Sequence, residues 1–147
     1  QAREIHDQVR YVEDGLLITE QGTVTWFGTW QEGQARITNE MEFAHYPDQL
    51  IVPGFIDTHI HFPQTEMVGA YGEQLLEWLN TYTFPTEMQF KDKKYADEIA
   101  HFFVNELLKN GTTTALVFCT VHPQSVDALF EAAERHQMRL VVFQKVC

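Results

Sequence analysis

From Ile51 to Gln64 the chain reads Ile-Val-Pro-Gly-Phe-Ile-Asp-Thr-His-Ile-His-Phe-Pro-Gln. A short apolar run passes through Pro53 and Gly54 into Asp57, His59 and His61. In an extended strand alternate residues share a face. Phe55, Asp57, His59 and His61 then lie on one side, and Gly54, Ile56, Thr58 and Ile60 on the other. Two imidazoles on one face can converge on a single ion, and neutral imidazole suits zinc and other borderline divalent metals. A histidine pair alone is more often a surface or satisfied core feature. The apolar strand, the Pro-Gly before it, the acid two positions earlier and Pro63-Gln64 after it favour a metal.

The rest of the chain supplies a context for that strand. Leu16–Glu20, the turn Gln21-Gly22 and Thr23–Gly28 read as a β-hairpin, rich in β-branched and aromatic residues in its second half. Glu32–Tyr46 is a mixed polar connection without a period. Leu50–Ile60 has the character of a parallel strand buried on both faces. Glu73–Thr81 predicts a short helix with Leu75, Leu76, Trp78 and Leu79 on its apolar side, broken by Phe84-Pro85. Asp92 as N-cap and Gly111 as C′ bracket a long helix, with Tyr95, Ile99, Phe102, Phe103 and Leu107 at helical spacing. Thr112–Thr120 is a buried strand. Ser125–His136 is a helix with Val126, Leu129, Phe130 and Ala133 inward, and Arg139–Cys147 a third buried strand.

Strand, helix, strand, helix, strand with short connections is the pattern of parallel βαβ units. A closed barrel and an open doubly wound sheet share it. No glycine-rich dinucleotide loop follows Val52 or Val117, which argues against a Rossmann fold.

The formal net charge of −11 leaves no basic patch for phosphates, so nucleic acid is not an expected partner. Anionic membrane surfaces are disfavoured for the same reason, and no apolar run reaches transmembrane length. Cys119 and Cys147 lie in apolar stretches, where a free cysteine acts as a small hydrophobe rather than part of a disulfide framework. The cytoplasm is the default compartment.

Pro53–His61 resembles the first-strand signature of the amidohydrolase superfamily, metal hydrolases built on a (β/α)8 barrel. A longer set of blocks narrows the match to the guanine deaminase family: His59–Gln64, Leu75–Leu79, Thr83–Glu87 and Lys109–Thr114, in family order. The resemblance runs from about Tyr11 to Cys147. It implies that residues 1–49 are part of a small β-sandwich and residues 50–147 the first strands and helices of the barrel. A complete barrel takes about 250 residues, so 147 residues are expected to be a piece of a larger protein, inactive alone.

The resemblance also implies the chemistry: hydrolytic deamination of guanine to xanthine and ammonia by metal-activated water in a homodimeric enzyme. Zinc is the expected metal, with iron an alternative. His59 and His61 are the metal ligands within this chain. The remaining ligands and the glutamate proton shuttle are expected beyond Cys147, so no catalytic acid or base is assigned here. Gln64 matches a purine-contacting glutamine, and its amide offers a donor and an acceptor to a purine edge.

The other candidates are weaker on their residues. Phe62 is pocket wall or packing. Trp78 and Phe84 are aromatics able to stack on a planar base, although core packing is the commoner use. Asp57 lies below the ion, either orienting an imidazole or holding the barrel floor. His101 reads as a solvated helix residue and His122 as a residue at the pocket end of its strand. Glu73, Glu77 and Glu87 read as solvated acids. The competing functions are another amidohydrolase acting on an amino-heterocycle, deaminase or chlorohydrolase, and a non-catalytic relative.

Overall fold

The computed structural model describes residues 10–72 and 74–144. The chain divides into two compact units between Leu50 and Ile51. In the first, β1 (Gly15–Glu20) and β2 (Thr23–Thr29) pair antiparallel. Gln21 and Gly22 both have positive φ, 48° and 76°, the pattern of a type I′ turn that matches strand twist. Thr29 then caps α1 (Trp30–Gly33), its Oγ1 accepting from the Glu32 N–H at 3.3 Å while the Glu32 carboxylate reaches back to Thr29. That reciprocal capping box holds the Glu32 carboxyl below its ordinary range, chiefly through the Thr29 hydroxyl. A 3₁₀ turn, Gln34–Arg36, follows. The start of the stretch read as aperiodic is therefore helical, and Thr29-x-x-Glu32 was its signal.

The second unit is a parallel sheet in the order β3-β4-β5, formed by β3 (Phe55–His61), β4 (Thr112–Cys119) and β5 (Arg139–Gln144). Helices α4 (Lys93–Lys109) and α5 (Pro123–Arg135) connect them and pack on one face. Ala96, Ala100, Phe103 and Val104 of α4 meet Ala128, Leu129, Ala132 and Ala133 of α5, over Ala115, Val117 and Cys119 of β4. Small residues at these positions let the helices sit close to the sheet. Asp92 caps α4, its Oδ1 accepting from the backbone N–H groups of Lys94 (2.8 Å) and Tyr95 (3.3 Å), and Gly111 at φ 83° ends it.

Between β3 and α4 the chain forms a 3₁₀ segment (Phe62–Met67), α2 (Leu75–Trp78), a π-helical turn (Leu79–Thr83) and α3 (Phe84–Gln89). Three expectations change here. Phe84-Pro85 does not break the helix. Pro85 falls at the start of α3, and the wide π turn before it accommodates a ring that would otherwise clash with the carbonyl four residues back. Leu75 and Leu76, on the apolar side of the expected helix, are exposed (70% and 73%); further along the chain Phe130 is exposed (47%) rather than inward, and Phe102 of the α4 stripe is exposed as well (55%). Glu87 is buried rather than solvated; Glu77 is exposed, and Glu73 lies outside the described residues.

β3 begins at Phe55, not Leu50, and is not buried on both faces: Phe55 and Ile56 are largely exposed. Among the described residues it is an edge strand with β4 on one side only. β4, with a neighbour on each side, alternates between buried and half-buried residues from Thr114 to Cys119. The third strand ends at Gln144, and residues 145–147 lie outside the described residues.

Candidate metal centre

Gly54 permits the entry into β3. A Cβ there would stand 2.1 Å from Thr113 Oγ1 and 2.4 Å from its Cγ2, so only glycine lets β4 approach this closely. The Phe55 N–H bonds the Gly111 carbonyl at 2.8 Å and pairing with β4 begins. Between Asp57 and Ile60 the register shifts, Asp57 facing Ala115 and Ile60 facing Val117. That extra residue is a bulge, a feature enriched beside active sites because it re-aims side chains. At the bulge the His59 N–H donates to Asp57 Oδ1 at 2.9 Å. Asp57 thus acts on the backbone of His59.

At this end of the strand the two rings converge. His59 Nε2 and His61 Nε2 are 3.2 Å apart, their ring centroids 5.2 Å apart at 44°. Two nitrogens each about 2.0–2.1 Å from one tetrahedral ion lie roughly 3.3–3.4 Å apart, so the pair fits the bite of zinc or a similar cation. The same separation also suits a hydrogen bond between a protonated and an unprotonated nitrogen. Both rings rest on Phe118 of β4, at 4.6 Å and 5.0 Å between centroids, and Phe118 stacks on Phe143 of β5 at 5.5 Å. Phe118 was not singled out from the sequence. Its place opposite His61 in the register was accessible only once the bulge was known. Among the described residues no third histidine, cysteine or carboxylate joins the pair in a cluster able to hold a metal.

A cavity of about 520 Å³ opens beside the pair, lined by His59, His61, Gln64, Thr65, Trp78 and Glu106 among others. This is within the usual range for a small-molecule site. Gln64 is half-buried, its amide Nε2 3.5 Å from His61 Nδ1. An Oε1 turned toward Nδ1–H would leave His61 Nε2 unprotonated, as ligation requires. Trp78 lines the same cavity, with its Nε1–H anchored on the Ala70 carbonyl at 3.0 Å.

The other candidates fall elsewhere. Phe62 is fully buried, edge-on to Phe90 at 4.9 Å and against Phe103 at 5.4 Å. It is core rather than cavity wall, because the chain turns inward directly after His61. Phe84 is exposed and off the cavity. His101 is half-buried, its Nε2 2.9 Å from the Arg135 guanidinium, bridging α4 and α5. His122 is the N-cap residue of α5. Its N–H donates to Thr120 Oγ1 and its carbonyl accepts from Ser125 Oγ, so it serves the strand-to-helix turn. Cys119 beside them is a buried free thiol.

Residues 50–147, which carry the parallel β/α unit and the converging histidines at the C-terminal end of its first strand, match the amidohydrolase family. The chain belongs to that family. It is similar to the guanine deaminase of Escherichia coli K12, 61% identical over 138 residues, which are 94% of this chain and 31% of that protein. A solved structure of Escherichia coli guanine deaminase superposes with a TM-score of 0.91 at 58% identity, over 98% of this chain and 33% of that one. A Clostridium acetobutylicum guanine deaminase with guanine bound in its active site matches with a TM-score of 0.59 and 36% identity, over 62% of this chain and 22% of that one. The chain spans about a third of the length of the curated relatives it matches most extensively. Its α/β fold is accordingly a partial one, the first β/α steps of the amidohydrolase barrel.

Proposed function

We propose that the intact protein is a metal-dependent guanine deaminase that hydrolyses guanine to xanthine and ammonia, with zinc as the metal. The observation that carries this is the 3.2 Å approach of His59 Nε2 to His61 Nε2 with the Gln64 amide 3.5 Å from His61 in one cavity. The relatives named guanine deaminase, and the one with guanine bound, support the choice of substrate.

In this reading His59 and His61, whose rings rest on Phe118, would hold the ion, and Asp57 braces the bulge from which they project. The metal, when bound, supplies the acidity that makes water a nucleophile at neutral pH. Gln64 presents a donor and an acceptor to the purine edge, and a pocket built to pair with both rejects bases lacking them. Trp78 closes the apolar side of the cavity. Residues 1–49 belong to a β-sandwich and residues 50–147 to the barrel, whose later strands supply the other ligands and the proton shuttle.

The test is ammonia release by the intact protein from guanine, cytosine and adenosine. Turnover of guanine well above the other two is expected. Turnover of cytosine with none of guanine would replace this reading with that of a different amidohydrolase.

A further inference from the structure

Gln64 sits at the midpoint of a segment held at both ends. At one end Phe62 is sunk in the core and Pro63 is buried beside it. The Phe62 carbonyl accepts from Thr65 Oγ1 at 2.6 Å. At the other end the Glu66 carboxylate accepts the hydrogen bond of the Tyr95 phenol from the first turn of α4. Gln64 lies two residues from each anchor.

Tyr95 is itself tightly placed. Its backbone N–H is held by the Asp92 cap, and its ring packs edge-on to Phe90 at 5.1 Å and 79°. Phe90 in turn packs edge-on to Phe62 at 4.9 Å. The contacts close a ring of residues: Phe62, Phe90, Tyr95, Glu66 and back through the segment to Phe62. Burial first, and the Glu66 carboxylate second, hold the phenol above its ordinary range.

We infer that the Tyr95–Glu66 hydrogen bond is a latch that sets the position of Gln64, making Tyr95 and Glu66 positioning residues for substrate selection. The inference rests on the guanine deaminase reading, since it is the purine contact of Gln64 that the latch would serve. The cap and the aromatic packing fix Tyr95 without help from Glu66. Loss of the latch should therefore loosen the segment rather than unfold α4.

The test uses the intact protein with Tyr95→Phe, Glu66→Gln, Gln64→Ala and the double variant Tyr95→Phe/Gln64→Ala. Guanine kinetics are read together with amide exchange of Phe62–Met67 in the absence of substrate. Tyr95→Phe is expected to raise KM about fivefold with kcat within about twofold. It should also speed exchange of the segment by about fivefold or more. Glu66→Gln keeps an acceptor oxygen and should stay within about twofold of wild type. Adding Tyr95→Phe to Gln64→Ala should change KM no further, because the latch acts through Gln64. An unchanged KM or unchanged exchange in Tyr95→Phe, or a full additional loss on the Gln64→Ala background, overturns the inference. A wild-type protein inactive on guanine defeats the deaminase reading instead, and the exchange measurement then decides the latch by itself.

Discussion

His59 and His61 owe their convergence to a backbone irregularity as much as to alternation along a strand. Simple alternation puts them on one side; the bulge after Asp57 and the Phe118 ring beneath them accompany the meeting of the two Nε2 atoms. Cys119, one residue beyond Phe118, has a different job. Burial pushes its thiol up to about 12, against the pull of a hydrogen bond with Ser125. The unfolded thiol ionises near its ordinary value of 9.0, so above that pH the unfolded state loses a proton that the folded state keeps. The contribution is fully present below pH 9.0 and is lost as pH rises toward about 12. Tyr95, also held above its ordinary range, acts in the same direction. The unfolding midpoint, followed from about pH 8 to about pH 11, should fall, and Cys119→Ser should flatten that fall whatever it does to the neutral-pH baseline.

At the scale of elements, the histidine pair was legible because β-strand geometry has a period of two, and α4 because a cap, a stripe and a terminal glycine agree. What misled was exposure. Phe102 and Phe130 fit helical spacing, yet the core uses Ala96, Ala100, Ala128 and Ala132, since close helix–sheet packing selects small residues that hydrophobicity alone ranks low. The π turn at Leu79–Thr83 was invisible because no composition marks it, and Pro85 pointed to a break that the turn absorbs. Gly54 was noticed as part of a signature, but its reason is steric and lies 59 positions on, in the side chain of Thr113. Gly54→Ala is expected to cost roughly 1–3 kcal/mol in unfolding free energy through forced displacement of β4. Adding Thr113→Ala, which removes the two nearest atoms, should recover part of it in denaturant titrations. Equal stability of Gly54→Ala and wild type would show that the β3–β4 approach is looser than these distances.

For the whole molecule, the order of strands and helices carried the α/β architecture, while the distinction between a barrel and an open sheet came from family likeness rather than from periodicity. The exposed Phe55, Ile56, Val141 and Phe143 show the limit of reading burial from sequence here: these apolar residues match core strands, but the described residues cover only one face of the sheet. No helix of the described residues is long and apolar enough to cross a membrane. The proposed function requires the two imidazoles to hold an ion on which activity depends. It is tested most directly by metal content and guanine turnover measured side by side in the intact protein and in His59→Ala/His61→Ala. The wild type should carry about one divalent ion per chain and release ammonia from guanine. The double variant should lose the ion and fall by more than about 100-fold in turnover, since even partners one bond further out are worth roughly 10–100-fold. A double variant that keeps the ion, or turns guanine over like wild type, would contradict the metal centre proposed for this strand.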